Sequence, residues 1–123
     1  MLESYSLNIA VAANAAIPFN NDSVKKGCTA THSAPSTIEL NKCGVYMVAF
    51  DGVASAATTV QLQKDGVAQP QAQSTGTAIS FVTLVQVDHD NNNCCCTSPV
   101  VLRLFNSTAV TFTNCNVCVT KVC

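Results

Sequence analysis

The segment Ile38-Glu39-Leu40, a turn at Asn41-Lys42-Cys43-Gly44, and then Val45-Tyr46-Met47-Val48-Ala49-Phe50 constrains this chain more than any other stretch. Its second half is apolar throughout, so the strand it forms needs cover on both faces. A second sheet layer, or packing against further copies of the chain, would supply it. Thr59 to Lys64 then alternates Val60 and Leu62 inward with Gln61 and Gln63 outward. Asp65-Gly66 provides the positive backbone angles of a tight hairpin, which makes Val67 to Gln71 the return strand.

The rest of the chain reads the same way. Tyr5 to Val11 sets Leu7, Ile9 and Val11 against Ser6, Asn8 and Ala10, and Ala15 to Phe19 is a short edge strand because Pro18 limits pairing. Asn20 to Pro35, holding Cys28 and His32, is a long polar loop. Thr77 to Val87 is one long strand, Asp88 to Asn93 a loop, and Val100 to Phe105, Ala109 to Thr113 and Val117 to Val122 complete the set. Val and Thr are abundant while the strong helix formers Glu, Lys, Arg and Met are scarce. The expectation is an all-β fold, an antiparallel two-sheet jelly-roll sandwich without significant helix, with residues 1–123 forming a single domain.

Composition excludes several functions. Apolar residues make up 48% of the chain and charged ones 11%, so it folds, and forty Ser, Thr, Asn and Gln residues provide its polar surface. Net charge is −1 and only Lys25 and Lys26 are adjacent, which is no footprint for nucleic acid. No apolar run approaches the roughly 18 residues of a membrane span, and Met1-Leu2-Glu3-Ser4 does not open a signal peptide.

IELNKCGVYMVAFDG, followed by VQLQKDGVAQP and a terminal VCVTKVC strand, resembles the trimeric tumour-necrosis-factor-like and complement-like jelly rolls of bacteria. The C-terminal knobs of collagen-like spore-surface glycoproteins are examples of that family. Its glycine-led aromatic strand is matched by Gly44, Tyr46 and the residues to Phe50, its later hairpin by Val60 to Gly66, and its upstream PFN by Pro18, Phe19 and Asn20. The resemblance implies a homotrimer. Two departures stand out: the chain has no Gly-X-Y stalk, and its triple cysteine lies outside the family pattern. A physical argument points to the trimer as well. Tyr46, Met47, Phe50, Phe81 and Phe105 lie on strands apolar on both faces, and one inner layer cannot hide them all, which makes them candidates for the trimer core.

Six of the eight cysteines fall in the last thirty residues. In an extended run Cys94 and Cys96 point one way and Cys95 the other, which favours separate disulfide partners over one shared site. The disulfide candidates are Cys28, Cys43, Cys94, Cys95, Cys96, Cys115, Cys118 and Cys123, within or between chains. On the order of a hundred connectivities are open to them. The rival is zinc, with Cys115-x-x-Cys118 as half a site and Cys94 and Cys96 completing it. Disulfides without an export signal fit a particle that leaves its cell by lysis or mother-cell release.

His32 and His89 read as solvated loop histidines and Asp88 to Asn93 as a solvated loop tip, with a calcium or other cation site as the alternative that three converging copies would favour. Asn21-Asp22-Ser23 and Asn106-Ser107-Thr108 match the glycosylation pattern by chance. No phosphate loop, carboxylate pair or serine triad order is present, so the expectation is a structural protein, not an enzyme, needing no cofactor. It would partner itself and capsid or other particle proteins at a bacteriophage virion surface, as a capsid decoration or fibre knob. The alternatives are a bacterial spore-surface or appendage subunit, and a knob binding a host-surface glycan through the loops Asn20 to Pro35 and Asp88 to Asn93.

Overall fold

The computed structural model describes residues 1–27, 29–88 and 95–122, the side chains of 95–98 excepted. Its regular elements are β1 (Leu2–Val11), β2 (Ala15–Ala16), β3 (Asn21–Lys25), β4 (Ala30–Ala34), β5 (Thr37–Lys42), β6 (Gly44–Lys64), β7 (Val67–Val87), β8 (Cys95–Asn106) and β9 (Val110–Lys121). All their pairings are antiparallel, as expected for the sandwich.

β6 and β7 are each 21 residues long, where the sequence suggests two shorter strands apiece. The stretch Ala54-Ser55-Ala56-Ala57 looks like a connection because it lacks large apolar residues. It stays extended and carries the bend. β6 pairs β9 as far as Ala54 and β8 from Val60 onward, and its register with β7 breaks between Val53 and Thr58. A register break lets one strand pass from one sheet to the other. The first sheet therefore runs β3, β1, β9, the first half of β6 and the second half of β7. The second holds the remaining halves of β7 and β6, then β8, β5 and β4, with β2 also on β8.

The polar stretch expected to be a loop contains β3 and β4. Both are terminal strands of the sheet order built largely from polar or small residues, so they show no apolar alternation for a sequence reading to find. At Asn41 to Gly44 the chain crosses from the second sheet to the first, because β5 pairs β8 while β6 pairs β9. The Tyr46 hydroxyl pins that crossing by donating to the Lys42 carbonyl at 2.7 Å. The expected hairpin at Asp65-Gly66 is present, with φ of 51° and 81°.

Between the sheets lies one apolar cluster that includes Phe19, Leu40, Val48, Leu62, Leu104 and Phe112. Phe50 is at its centre, edge-on to Phe19 at 6.4 Å and stacked on Phe81 at 5.7 Å. Gly52 makes room for that ring: a β-carbon there would meet Phe50 at 3.2 Å and Cys115 at 3.3 Å. Two trimer-core candidates are corrected here. Tyr46 and Phe50 are 0% and 1% exposed within a single chain, because alternation turns residues 46, 48 and 50 inward together. Burying each such side chain stabilises the chain by about 1.5–3 kcal/mol, independently of any partner.

Candidate interaction surface

Turning residues 46, 48 and 50 inward sends 45, 47 and 49 outward, and the ladder fixes what stands beside them. Met47 lies opposite Leu84, Ala49 opposite Val82 and Val53 opposite Ala78. On the other flank Cys118 faces Ala49, and Asn114 lies between Val53 and Leu7. Val82 and Leu84 are 64% and 61% exposed, and Leu7 and Val53 are exposed too. The outer face of the first sheet thus carries an apolar patch at Met47, Ala49, Val82 and Leu84, which the polar row Ser80, Asp51 and Asn116 separates from Val53 and Leu7. Of the sequence candidates, Met47 lies in this patch, half-buried. Phe81 is also half-buried but points inward against Phe50. Val82 and Leu84 were missed, although the signal was there: once Phe81 is an inward residue, its even-numbered neighbours must face out.

The second sheet shows the opposite outer chemistry. Thr59 and Thr75 bond hydroxyl to hydroxyl at 2.7 Å, and Gln61 stands opposite Gln73 on one side and Phe105 on the other. Phe105, a third trimer-core candidate, is therefore not part of the apolar patch but lies on the other sheet. Together with Asn14, Thr59, Gln61, Gln63 and Ser107 it borders a shallow groove of about 320 Å³.

The cysteines divide by face as well. Cys115 and Cys118 are free thiols, contrary to their expected disulfides, and three residues apart on one strand they point to opposite sides. Cys115 is buried and Cys118 half-buried on the outer face. They cannot therefore chelate one metal ion, and among the described residues no group of three or more His, Cys, Asp or Glu is placed to do so. Burial raises the Cys115 thiol to about 11 against a weak bond to the Ser6 carbonyl. Burial and the Glu3 carboxylate push Cys118 up, the N-terminal charge opposing. Thiols shifted this way stay protonated and inert at neutral pH. Cys43 is disulfide-bonded, and its partner is not among the described side chains. Cys28, Cys94 and Cys123 lie outside the described residues, as do the side chains of Cys95 and Cys96.

One cluster resembles hydrolytic machinery without its wiring. Ser4 on β1, Asp22 on β3 and His32 on β4 converge. The Ser4 hydroxyl donates to Asp22 Oδ1 at 2.5 Å and His32 Nδ1 lies 2.8 Å from the same oxygen. His32 Nε2 faces the Pro35 carbonyl at 2.9 Å. A carboxylate and a carbonyl only accept, so both bonds form together only when the ring carries both hydrogens. His32 Nδ1 also lies 3.5 Å from the Ser4 hydroxyl, but that hydroxyl is donated to Asp22, so the order of contacts differs from an activated serine. His32 is thus not a solvated loop residue: its side chain is 8% exposed. The cluster ties β3 to β4, the two ends of the sheet order, and so clasps an otherwise open seam. Asp22 also has Lys25 at 4.0 Å. Burial opposes its charge, but the bonds from Ser4 and His32 and the charges of His32 and Lys25 prevail and lower its pKa.

The remaining motifs have structural answers. Asn106 is 0% exposed, its Oδ1 accepts from Thr58, and its Nδ2 donates to the carbonyls of Val11, Ala12 and Thr108, so it is no glycosylation acceptor. His89 and residues 90–93 of the polar loop lie outside the described residues.

No family model and no curated protein matches the chain in sequence. Solved structures do match in shape. The globular domain of zebrafish complement 1qA protein superposes with a TM-score of 0.74 at 8% identity, covering 99% of this chain and 96% of that one. The vertex protein P5 of PRD1 superposes with a TM-score of 0.68 at 15% identity, again covering 99% and 96%. Strand order, antiparallel pairing and these superpositions agree: the chain folds as a tumour-necrosis-factor-like, complement-like jelly roll.

Proposed function

We propose that this protein is a homotrimeric structural subunit of a bacteriophage virion surface, a capsid decoration or fibre knob built from one jelly-roll domain. The observation that carries the self-association is the apolar outer face of the first sheet. Met47, Ala49, Val82 and Leu84 lie side by side across two strands and two of them are more than half exposed. A patch of this kind marks an interaction site. Three copies arranged around an axis would cover it, since closed cyclic symmetry satisfies every copy's face. The likeness in shape to the PRD1 vertex protein P5 supports the virion setting. Disulfides among the cysteines other than Cys115 and Cys118 would toughen the subunit outside a cell, by roughly 2–4 kcal/mol for each loop closed.

Multi-angle light scattering of the purified chain tests the trimer. The expected mass is three times 12.9 kDa, and a mass near 12.9 kDa refutes it. The setting is tested separately by genomic neighbourhood and by mass spectrometry of purified particles. Capsid or tail genes alongside, with the protein in the particle, support it, whereas sporulation or collagen-like neighbours overturn it.

A further inference from the structure

Phe105 is an aromatic residue that neither the core nor the self-association patch accounts for. It sits on the outer face of the second sheet, between Gln61 of β6 and Ala16 of β2. It belongs neither to the buried cluster nor to the apolar side chains packed against that cluster. It is half-buried on a face of amides and hydroxyls that also carries Arg103, opposite Gln63. An aromatic in that position gains little by being there unless something covers it.

The surroundings define the cover. The groove of about 320 Å³ beside the ring is bordered by Asn14, Thr59, Gln61, Gln63 and Ser107, with no formal charge among them. Its volume is at the small end of ligand clefts. Among the described residues the amides of Asn14 and Gln63 make no hydrogen bond, and that of Gln61 makes only a long one, 3.4 Å to the Gln69 carbonyl. Each such amide offers two donors and an acceptor carbonyl. The lining itself carries no cation and only Arg103, opposite Gln63 in the ladder, stands beside it, so a nucleic acid would lack the basic track that follows its backbone. A wholly apolar ligand would strip water from the amides without replacing its bonds. A sugar ring meets both requirements, with a C–H face for the aromatic and hydroxyls for the amides.

We infer that this groove binds a neutral sugar unit of an oligosaccharide, with Phe105 as the stacking platform and Gln61, Gln63 and Asn14 as the hydrogen-bonding rim. This differs from a site on the loops Asn20 to Pro35 or Asp88 to Asn93, neither of which holds an aromatic residue. It does not depend on the trimer. The groove lies on the opposite sheet from Val82 and Leu84.

The test is an array of immobilised neutral and sialylated oligosaccharides probed with the labelled full chain, followed by an amide NMR titration with the free neutral sugar that scores best. Binding to neutral glycans is expected, with shifts at the side-chain amides of Gln61 and Gln63. Phe105→Ala should weaken binding by about tenfold, the loss of one stacking contact, while Phe105→Trp retains it. If Phe105→Ala does not fold, Gln61→Ala and Gln63→Ala replace it with the same expectation. Binding to no neutral glycan, binding to sialylated glycans alone, or full binding by Phe105→Ala or by the amide variants overturns the inference. So does a Phe105→Ala chain that folds but loses its oligomeric mass, because Phe105 would then be covered by another copy.

Discussion

The two sheets share one core and face solvent with opposite chemistry. Inward, Val48 and Phe50 on the first sheet match Val60 and Leu62 on the second, and a single strand, β6, supplies all four. Outward, the first half of that strand shows Met47 and Ala49 beside Val82 and Leu84, while the second half shows Thr59, Gln61 and Gln63 beside Thr75 and Gln73. Folding requires only the inward pattern. Under the proposed self-association, the outward difference would reflect apolar surface met on one side and water or a polar ligand on the other.

That contrast can be broken most forcefully at its inner partner. Phe50→Ala should lower protomer stability by about 3–5 kcal/mol, read as a drop in the urea midpoint, because it empties the centre of the core. Met47→Ala, three residues away on the same strand but on the other face, should weaken association far more than protomer stability. Equal losses of protomer stability from the two would show that inside and outside are wrongly assigned. Next in size are Val82→Lys and Leu84→Lys, each expected to cost association about 2 kcal/mol or more if those side chains anchor the interface. The double variant should scatter light as a 12.9 kDa protomer with unchanged circular dichroism. Gln61→Lys and Gln73→Lys on the polar face should leave the mass alone, and a loss of mass there would reverse the roles of the two sheets.

Smaller effects test the seam and the interior. Asp22 has its pKa lowered below 3.8 in the fold, so its clasp contributes stability above 3.8 that is lost as pH falls through the lowered value. Asp22→Asn should flatten the acid limb of a plot of melting temperature against pH, and an unchanged limb would deny the clasp its role. Cys115 runs the other way. Its contribution is intact below 9.0 and is lost as pH rises towards about 11, so Cys115→Ala should lessen alkaline sensitivity despite its small core cost.

Much of this molecule is legible in the chain. The alternation of Val60, Gln61, Leu62 and Gln63, the Asp65-Gly66 turn and the apolar Val45 to Phe50 run give strand class, a hairpin and a demand for cover on both sides. Tyr46 and Phe50 misled, because an all-apolar strand does not declare which parity faces the core. β3 and β4 were hidden because polar edge strands carry no period. The cysteine spacing suggests pairing for all eight, whereas Cys115 and Cys118 are free thiols within the chain.

The sequence by itself determined local behaviour: extended strands, a tight turn, low charge and an excess of apolar positions over what one inner layer can hide. Only the tertiary structure decided parity and neighbourhood. It turned Phe50 inward and Met47 outward, set Val82 and Leu84 beside Met47 and Ala49, placed Phe105 between Gln61 and Ala16, and brought His32 to Asp22 across the seam. The physical reason is that a strand's two faces become inequivalent only when a second sheet covers one of them, which contacts between residues distant in sequence decide.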